Sequence, residues 1–303
     1  MRTRIGSVEF ANPIFVASGT YGYGTEAAGL TDISGIGAVI TKSVTLNPRV
    51  GNPPPRIVET ASGMINSIGL ANIGIDRYLS ELLPIYRNFP TAVIMNIAGS
   101  TTAEYRQVLE KAESVSSDIV GYEINISCPN VKEGGMEFGV SQEATARLTA
   151  DLRGLTERLL IMKLSPNVTD ISAIGKAAEA AGADAVSAIN TLVGMSINPK
   201  TWQSNIFTTF GGLSGPAIKP VAIAAVHKLY RQLTIPVIGI GGITTAGDVV
   251  EFALAGATAV QIGTANFRDP AVGIKIRDDL EKYLAAMNLT NFEDIRGRVR
   301  LWS

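Results

Sequence analysis

The residues with the clearest chemical potential stand together where an apolar run ends. In IVGYEINISCPNVKEGG, from Ile119 to Gly135, an alternating β-branched stretch gives way to Asn125, Ser127, Cys128, Pro129, Asn130 and a glycine pair, the pattern of a buried strand running into a loop. Cys128 is the only cysteine in the chain. Pro129 stops the strand and the glycines allow close backbone approach to a ligand, which makes the thiol a candidate base or nucleophile. An inert core thiol is the competing reading, since free cysteine is among the most buried residue types. Lys42 in AVITKSV and Lys163 in LIMKLS also interrupt apolar runs. Either they snorkel out at a rim, or they attract an anionic ligand, or Lys163 forms a Schiff base with a carbonyl substrate, as in a lyase or aldolase. The one histidine, His227, falls in the exterior helical pattern KPVAIAAVHKLYRQL, so proton transfer would fall to Cys128 or a lysine.

What must position these residues is a repeat. From residue 13 onward a short β-rich run followed by a helical stretch recurs eight times: PIFVAS from Pro13, AVITKSV from Ala38, TAVIMNIA from Thr91, IVGYEINIS from Ile119, LIMKLS from Leu160, AVSAINT from Ala185, PVIGIGG from Pro236 and AVQIGTA from Ala259. Helical periodicity lies between them in IDRYLSELLPIYRN, TAEYRQVLEKAESV, SQEATARLTADLRGLTERL, ISAIGKAAEAAG, KPVAIAAVHKLYRQL and TAGDVVEFALAG. Eight βα units with near-continuous apolar strands predict an α/β fold, one (β/α)8 TIM barrel over residues 1–303, with inserted loops at its C-terminal face. A doubly wound sheet is the runner-up, weakened because no GxGxxG follows the first strand. The longest irregular stretches, Thr45 to Asn72 and Gly194 to Pro216, each follow a strand and so project over the face where barrels build their sites.

The strand ends agree. They carry Ser18, Lys42 with Ser43, Asn96, Asn125 with Cys128, Lys163 with Ser165, Asn190 with Thr191, Gly241 with Gly242, and Gly263 with Thr264. Eight polar or glycine ends converging on one mouth form a ring of donors for a large polar ligand. The seventh and eighth, GIGGITTAGD and GTANFRD, run from a glycine turn into a helix start, where unpaired backbone N–H groups would hold a phosphate; GGLSG, ending in Gly215, is a third such turn. Ordinary tight turns are the bland alternative.

Composition narrows the partners. Lys+Arg 26 against Asp+Glu 27 leaves a net charge of −1 with no basic tract, which argues against nucleic acid and anionic membrane and for a small molecule. No apolar run approaches the roughly twenty residues of a membrane span, and the N-terminus lacks a signal-peptide core, so a cytoplasmic protein is expected. A single cysteine excludes an internal disulfide framework and an all-cysteine metal cage; any iron–sulfur centre would belong to another chain.

In order along the chain, TKSVTLNPRVGNPPPR, SGMINSIGLAN, NISCPNVKEGG, KLSPNVTDI, INTLVGM, GGLSGPAIKP, IGIGGI and GTANF closely resemble the class 1 dihydroorotate dehydrogenases, and TLNPRxGNPxPR and NISCPNVKxGG resemble its B-type above all. The similarity runs from about Asn12 to Asp269. It implies an FMN enzyme that oxidises dihydroorotate to orotate in pyrimidine biosynthesis. By that resemblance Ser18, Lys42, Ser43, Asn96, Asn125, Lys163, Ile189, Gly215, Gly241, Gly242, Gly263 and Thr264 hold FMN. Lys42, the run Asn66, Ser67, Ile68, Gly69 and Leu70, and Asn125, Asn190 and Thr191 hold the pyrimidine and its carboxylate, and Cys128 is the base. No metal is implied in this chain. The B-type further implies an iron–sulfur flavoprotein partner carrying FAD and a [2Fe-2S] cluster, in a heterotetramer of two catalytic and two electron-transfer chains, with NAD+ as final acceptor; A-type homodimers use fumarate instead. The segment INPKTWQSNIFTTF departs from the family pattern, with Trp202 and Phe207 where charge is expected.

Overall fold

The computed structural model describes residues 1–127 and 138–302; Cys128 lies outside the described residues. An antiparallel hairpin of β1 (Thr3–Ile5) and β2 (Val8–Phe10) comes first. The barrel strands are β3 (Ile14–Val16) and β4 (Ala38–Ile40), then, after an excursion through β5 (Ile57–Thr60) and β6 (Gly63–Asn66), β7 (Ala92–Ile97), β8 (Ile119–Asn125), β9 (Leu159–Lys163) and β10 (Ala185–Ala188). A second excursion forms β11 (Leu192–Met195) and β12 (Phe210–Ser214) before β13 (Val237–Ile240) and β14 (Ala259–Ile262) close the ring. The closed order is β10-β13-β14-β3-β4-β7-β8-β9, every pairing parallel. All eight expected strands are therefore present in one (β/α)8 barrel.

Helices α1 (Thr25–Ala28), α2 (Ile75–Arg77) and α3 (Leu83–Tyr86) are short, whereas α4 (Thr102–Glu113), α5 (Gln142–Arg153), α6 (Ile171–Ala180), α7 (Lys219–Tyr230) and α8 (Ala246–Ala255) cover the barrel. After α9 (Ala265–Arg268), α10 (Val272–Ala286) packs on β3. Two helical expectations run too long. The pattern from Ser141 to Leu159 ends at Arg153, capped by Gly154, because Leu159 already belongs to β9. The pattern from Ile75 opens into a π turn at Tyr78–Leu82, just ahead of Pro84, whose ring nitrogen has no proton to donate back along the helix. Among the described residues no helix is long and apolar enough to cross a membrane.

The inserts correct the sequence reading further. The two stretches expected to be irregular pair with each other as a four-stranded antiparallel sheet, β11-β12-β6-β5. Its central register joins Gly212 to Asn66 and Leu213 to Ile65. Strands this short, broken by glycine and paired across nearly 150 residues, leave too little local alternation to announce themselves.

Inside the barrel, side chains stack in layers because strand residues alternate between faces. The lower layer is apolar: Ile94, Ile161, Ala185, Ile238 and Ala259 pack with Phe15, Ala38 and Ile40, and Ile5 and Phe10 of the hairpin close the end beneath them. Two residues further along their strands come Asn96, Glu123, Lys163, Ser187 and Gln261, all buried. The barrel thus changes from hydrocarbon to hydrogen bonds within one layer.

Candidate active site

The polar layer is one connected network. Glu123 accepts hydrogen bonds from Asn96 Nδ2 at 2.7 Å, Ser187 Oγ at 2.8 Å and Gln261 Nε2 at 2.6 Å, and Lys163 Nζ lies 3.6 Å from its Oε1. Ser43 Oγ donates to Asn96 Oδ1 at 2.5 Å. Five strands, β7, β8, β9, β10 and β14, therefore meet in this network, and the buried carboxylate is surrounded by donors, as burial requires. Sequence reading found Ser43, Asn96 and Lys163 but missed Glu123, Ser187 and Gln261. The available signal was a polar residue in each of the apolar runs YEIN, AVSA and AVQI, at the alternate position that faces inward.

Above that layer the asparagines meet. The register places Asn125 beside Lys163, and Asn125 Oδ1 accepts from Asn190 Nδ2 at 3.3 Å. Asn190 Oδ1 in turn accepts from the N–H of Thr191 at 2.8 Å. Asn66 reaches the same side through the inserted sheet: its Nδ2 donates to Gly212 O at 3.4 Å, while a Cβ on Gly212 would stand 2.1 Å from Thr191 Oγ1. Glycine at 212 is what lets Thr191 approach.

The run from Asn66 to Leu70 is held by the arm in front of it. Ser67 N–H donates to Arg56 O at 2.8 Å, Asn52 Nδ2 donates to Ser67 O at 2.9 Å, and the N–H of Asn52 donates to Ile68 O at 3.0 Å. Gly69 and Leu70 both take left-handed backbone angles, φ 74° and 56°, and Asn72 Nδ2 secures Leu70 O at 2.7 Å. Ser67 Oγ is buried without a hydrogen-bond partner among the described residues, a polar atom left for a ligand. Lys42 is half-buried just past β4. Burial, followed by repulsion from the Arg56 guanidinium, pulls its ammonium below the ordinary lysine value, against the pull of Glu26. Two cations thus stand close to each other beside this arm.

The opposite side is built from backbone. Gly241, Gly242, Gly263 and Thr264 have N–H groups that donate to no protein acceptor among the described residues. Gly241 and Gly242 have φ 130° and 73°, and a Cβ on Gly242 would meet Gly215 O at 2.9 Å. Thr264 Oγ1 donates to Ser214 Oγ at 2.8 Å, and Ser18 Oγ to Thr41 O at 2.8 Å. Ile189 is buried between β10 and β13, its N–H on Ile240 O at 2.9 Å. One expectation is narrowed here: the start of α8 is partly closed, with a carboxylate of its own in place. Asp248 takes the N–H groups of Thr244 and Thr245 at 2.8 Å each, and Thr245 caps Asp248 in return. Burial would raise the Asp248 carboxyl, but hydrogen bonds from Lys219 and Thr244, and then from Thr245, hold it at about 2. The amides open to a phosphate are those of the two glycine turns, with Gly215 beside them.

The mouth thus pairs four free amides at one end with a buried lysine and asparagines at the other, a donor set for an elongated ligand with a phosphate and a planar polar ring. His227 lies elsewhere, in the last turn of α7 with Nδ1 3.3 Å from Ala255 O.

A sequence profile described as "Dihydroorotate dehydrogenase" matches residues 1–284. The chain is 46% identical over 301 residues to the "Dihydroorotate dehydrogenase B (NAD(+)), catalytic subunit" of Geotalea daltonii, covering 99% of this chain and 98% of that one. It is 47% identical over 297 residues to the protein of that name from Trichlorobacter lovleyi, covering 98% and 97%. A crystal structure of DHODH from Eimeria tenella, in complex with ferulenol, superposes with a TM-score of 0.83 at 23% identity, over 98% of this chain and 88% of that one.

Proposed function

The chain belongs to the dihydroorotate dehydrogenase family, and from that premise we propose that it oxidises (S)-dihydroorotate to orotate in pyrimidine biosynthesis, as a single FMN-binding catalytic domain. The observation that carries the reading is the mouth itself, with buried Lys163 tied to Glu123 at one end and four unengaged backbone amides at the other. That donor set fits FMN. Ser18, Lys42, Ser43, Asn96, Asn125, Lys163, Ile189, Gly215, Gly241, Gly242, Gly263 and Thr264 would hold it, and when bound it supplies a two-electron acceptor.

The chain's own residues do the rest. Asn66, Asn125 and Asn190, with Thr191, present amide and hydroxyl groups that both donate and accept, as the alternating C=O and N–H edge of the substrate ring requires. Lys42, beside Arg56, meets the substrate carboxylate, and the run Ser67, Ile68, Gly69 and Leu70 closes over it, with Ser67 Oγ free to donate. Cys128, three residues past Asn125 in the sequence, takes the proton from C5 of the ring; a thiol with an ordinary pKa of about 8.5 is a workable base near neutral pH. Lys163 is engaged in an ion pair, the setting of a fixed cation rather than of a free amine, which weighs against the Schiff-base alternative.

The electrons then leave for NAD+ through a second subunit. The relatives' names call them catalytic subunits of an NAD(+) enzyme, and this chain has neither a dinucleotide fingerprint nor cysteines for a cluster. The partner is an iron–sulfur flavoprotein with FAD and a [2Fe-2S] cluster, assembled two-and-two in the cytoplasm, and exposed Trp202 and Phe207 are candidate contacts. Purifying the chain alone and with that partner tests the proposal. We expect a yellow protein whose flavin is bleached by dihydroorotate, and NAD+-dependent orotate formation only with the partner present. A colourless chain would overturn the activity; brisk NAD+ reduction or robust fumarate turnover by the lone chain would overturn the partner.

A further inference from the structure

The proposed roles leave unexplained the most deeply placed charge at the mouth. Glu123 has no solvent-exposed surface. Every group it is bonded to donates: Asn96 and Lys163 toward Oε1, Ser187 and Gln261 toward Oε2. An ionised carboxylate accepts only, so the pocket is built around its negative charge.

Its position relative to Lys163 is specific. The β8–β9 register sets Glu123 beside Ile161 and Asn125 beside Lys163. Within the polar layer the carboxylate therefore meets Lys163 from the side away from the mouth, and the ammonium stands between it and the mouth. Glu123 also settles which way Asn96 faces: with Nδ2 on the carboxylate, Oδ1 is left to accept the Ser43 hydroxyl at 2.5 Å. One carboxylate thus orders three residues assigned to the cofactor, two directly and one through Asn96.

We propose that Glu123 is a positioning residue that sets the electron affinity of the bound flavin, by holding Lys163 at the mouth and offsetting part of its positive charge. An unopposed ammonium would stabilise the reduced, negatively charged ring more strongly, since a fixed charge in a water-poor site is screened less than in bulk water. A partly neutralised one stabilises it less, so the electrons can pass on to an acceptor. The inference rests on the flavin reading above.

The test is the flavin midpoint potential, measured in Glu123→Gln and in the same substitution made in a Lys163→Met background. Glutamine keeps the shape and removes the charge, and Gln261 Oε1, which has no partner among the described residues, can turn to accept from the new amide. The expected result is roughly tenfold tighter retention of reduced relative to oxidised flavin, an upward shift of about 30 mV for a two-electron couple. Without Lys163 the change should be under about twofold. Glu123→Asp, which keeps the charge but draws it back by one methylene, should shift the potential the same way by less, and it covers failure of the glutamine variant to fold. Gln261→Met, which removes a neutral donor to the same carboxylate, should leave the potential in place. An unmoved potential in folded, flavin-loaded Glu123→Gln or Glu123→Asp would overturn the inference, as would an equal shift with and without Lys163. A wild-type chain that purifies without flavin would overturn the reading beneath it.

Discussion

Behind β13 and β14 the mouth offers backbone: N–H groups of Gly241, Gly242, Gly263 and Thr264 that meet no acceptor among the described residues, in two glycine turns of which the first takes positive φ at Gly241 and Gly242. Past β4 and along β7 to β10 it offers side chains, with Lys163, Asn96 and Ser43 held in a buried network closed by Glu123, Ser187 and, from β14, Gln261. On the proposed function the two sides meet opposite demands. A phosphate keeps the same charge throughout a redox reaction, and fixed amide dipoles hold it without any buried ion of their own. A ring that gains charge needs an opposing charge placed in advance, and that cation must be desolvated and countered where it stands. The backbone side is therefore local and cheap to build, the side-chain side long-range and costly to disturb.

The contrast can be broken most sharply at Cys128. If the side-chain half carries the chemistry, Cys128→Ser should leave flavin binding intact and slow flavin reduction by dihydroorotate about 10²-fold or more near neutral pH, the usual range for loss of a general base. The rate should recover toward alkaline pH, because an alcohol ionises far above a thiol. Stopped-flow traces as fast as wild type at neutral pH would remove the thiol from the reaction.

A smaller effect is expected on the backbone half from Gly242→Ala. At φ 73° an alanine costs about 1–2 kcal/mol, and its methyl would crowd Gly215 O at 2.9 Å and the Lys219 N–H at 3.0 Å. The expected outcome is a folded barrel that holds FMN about tenfold more weakly, with the reduction rate of the loaded enzyme nearly unchanged. Equilibrium dialysis against FMN measures it; a variant impaired in reduction rate and not in retention would reverse the division of labour between the halves.

The smallest effect belongs to the cap that shapes the same side. Asp248, held at about 2 against an ordinary 3.8, is depressed on folding, so its contribution to stability is complete above roughly pH 4 and is lost as pH falls toward 2. Asp248→Asn should lower the melting temperature by about 2–4 °C at pH 6 and by progressively less below pH 4. An equal loss at pH 6 and pH 2.5 would assign the effect to packing rather than to the charge.

Much of this was open to reading along the chain. Eight apolar runs at barrel spacing, each ending polar, placed Lys42, Asn96, Asn125, Lys163 and Asn190 at one mouth, because strand alternation and parallel order act through near neighbours. The glycine turns at Gly241 and Gly263 were legible for the same reason, since a turn is a property of a few consecutive residues. The sequence by itself thus determined the barrel, the ring of polar ends and the family. Only the tertiary structure decided what those ends lean on. Glu123 meets Gln261 across 138 residues and Ser187 across 64, and Asn66 reaches Gly212 across 146. Which donor faces a buried carboxylate depends on register and barrel closure, and those exist only once all eight strands have met.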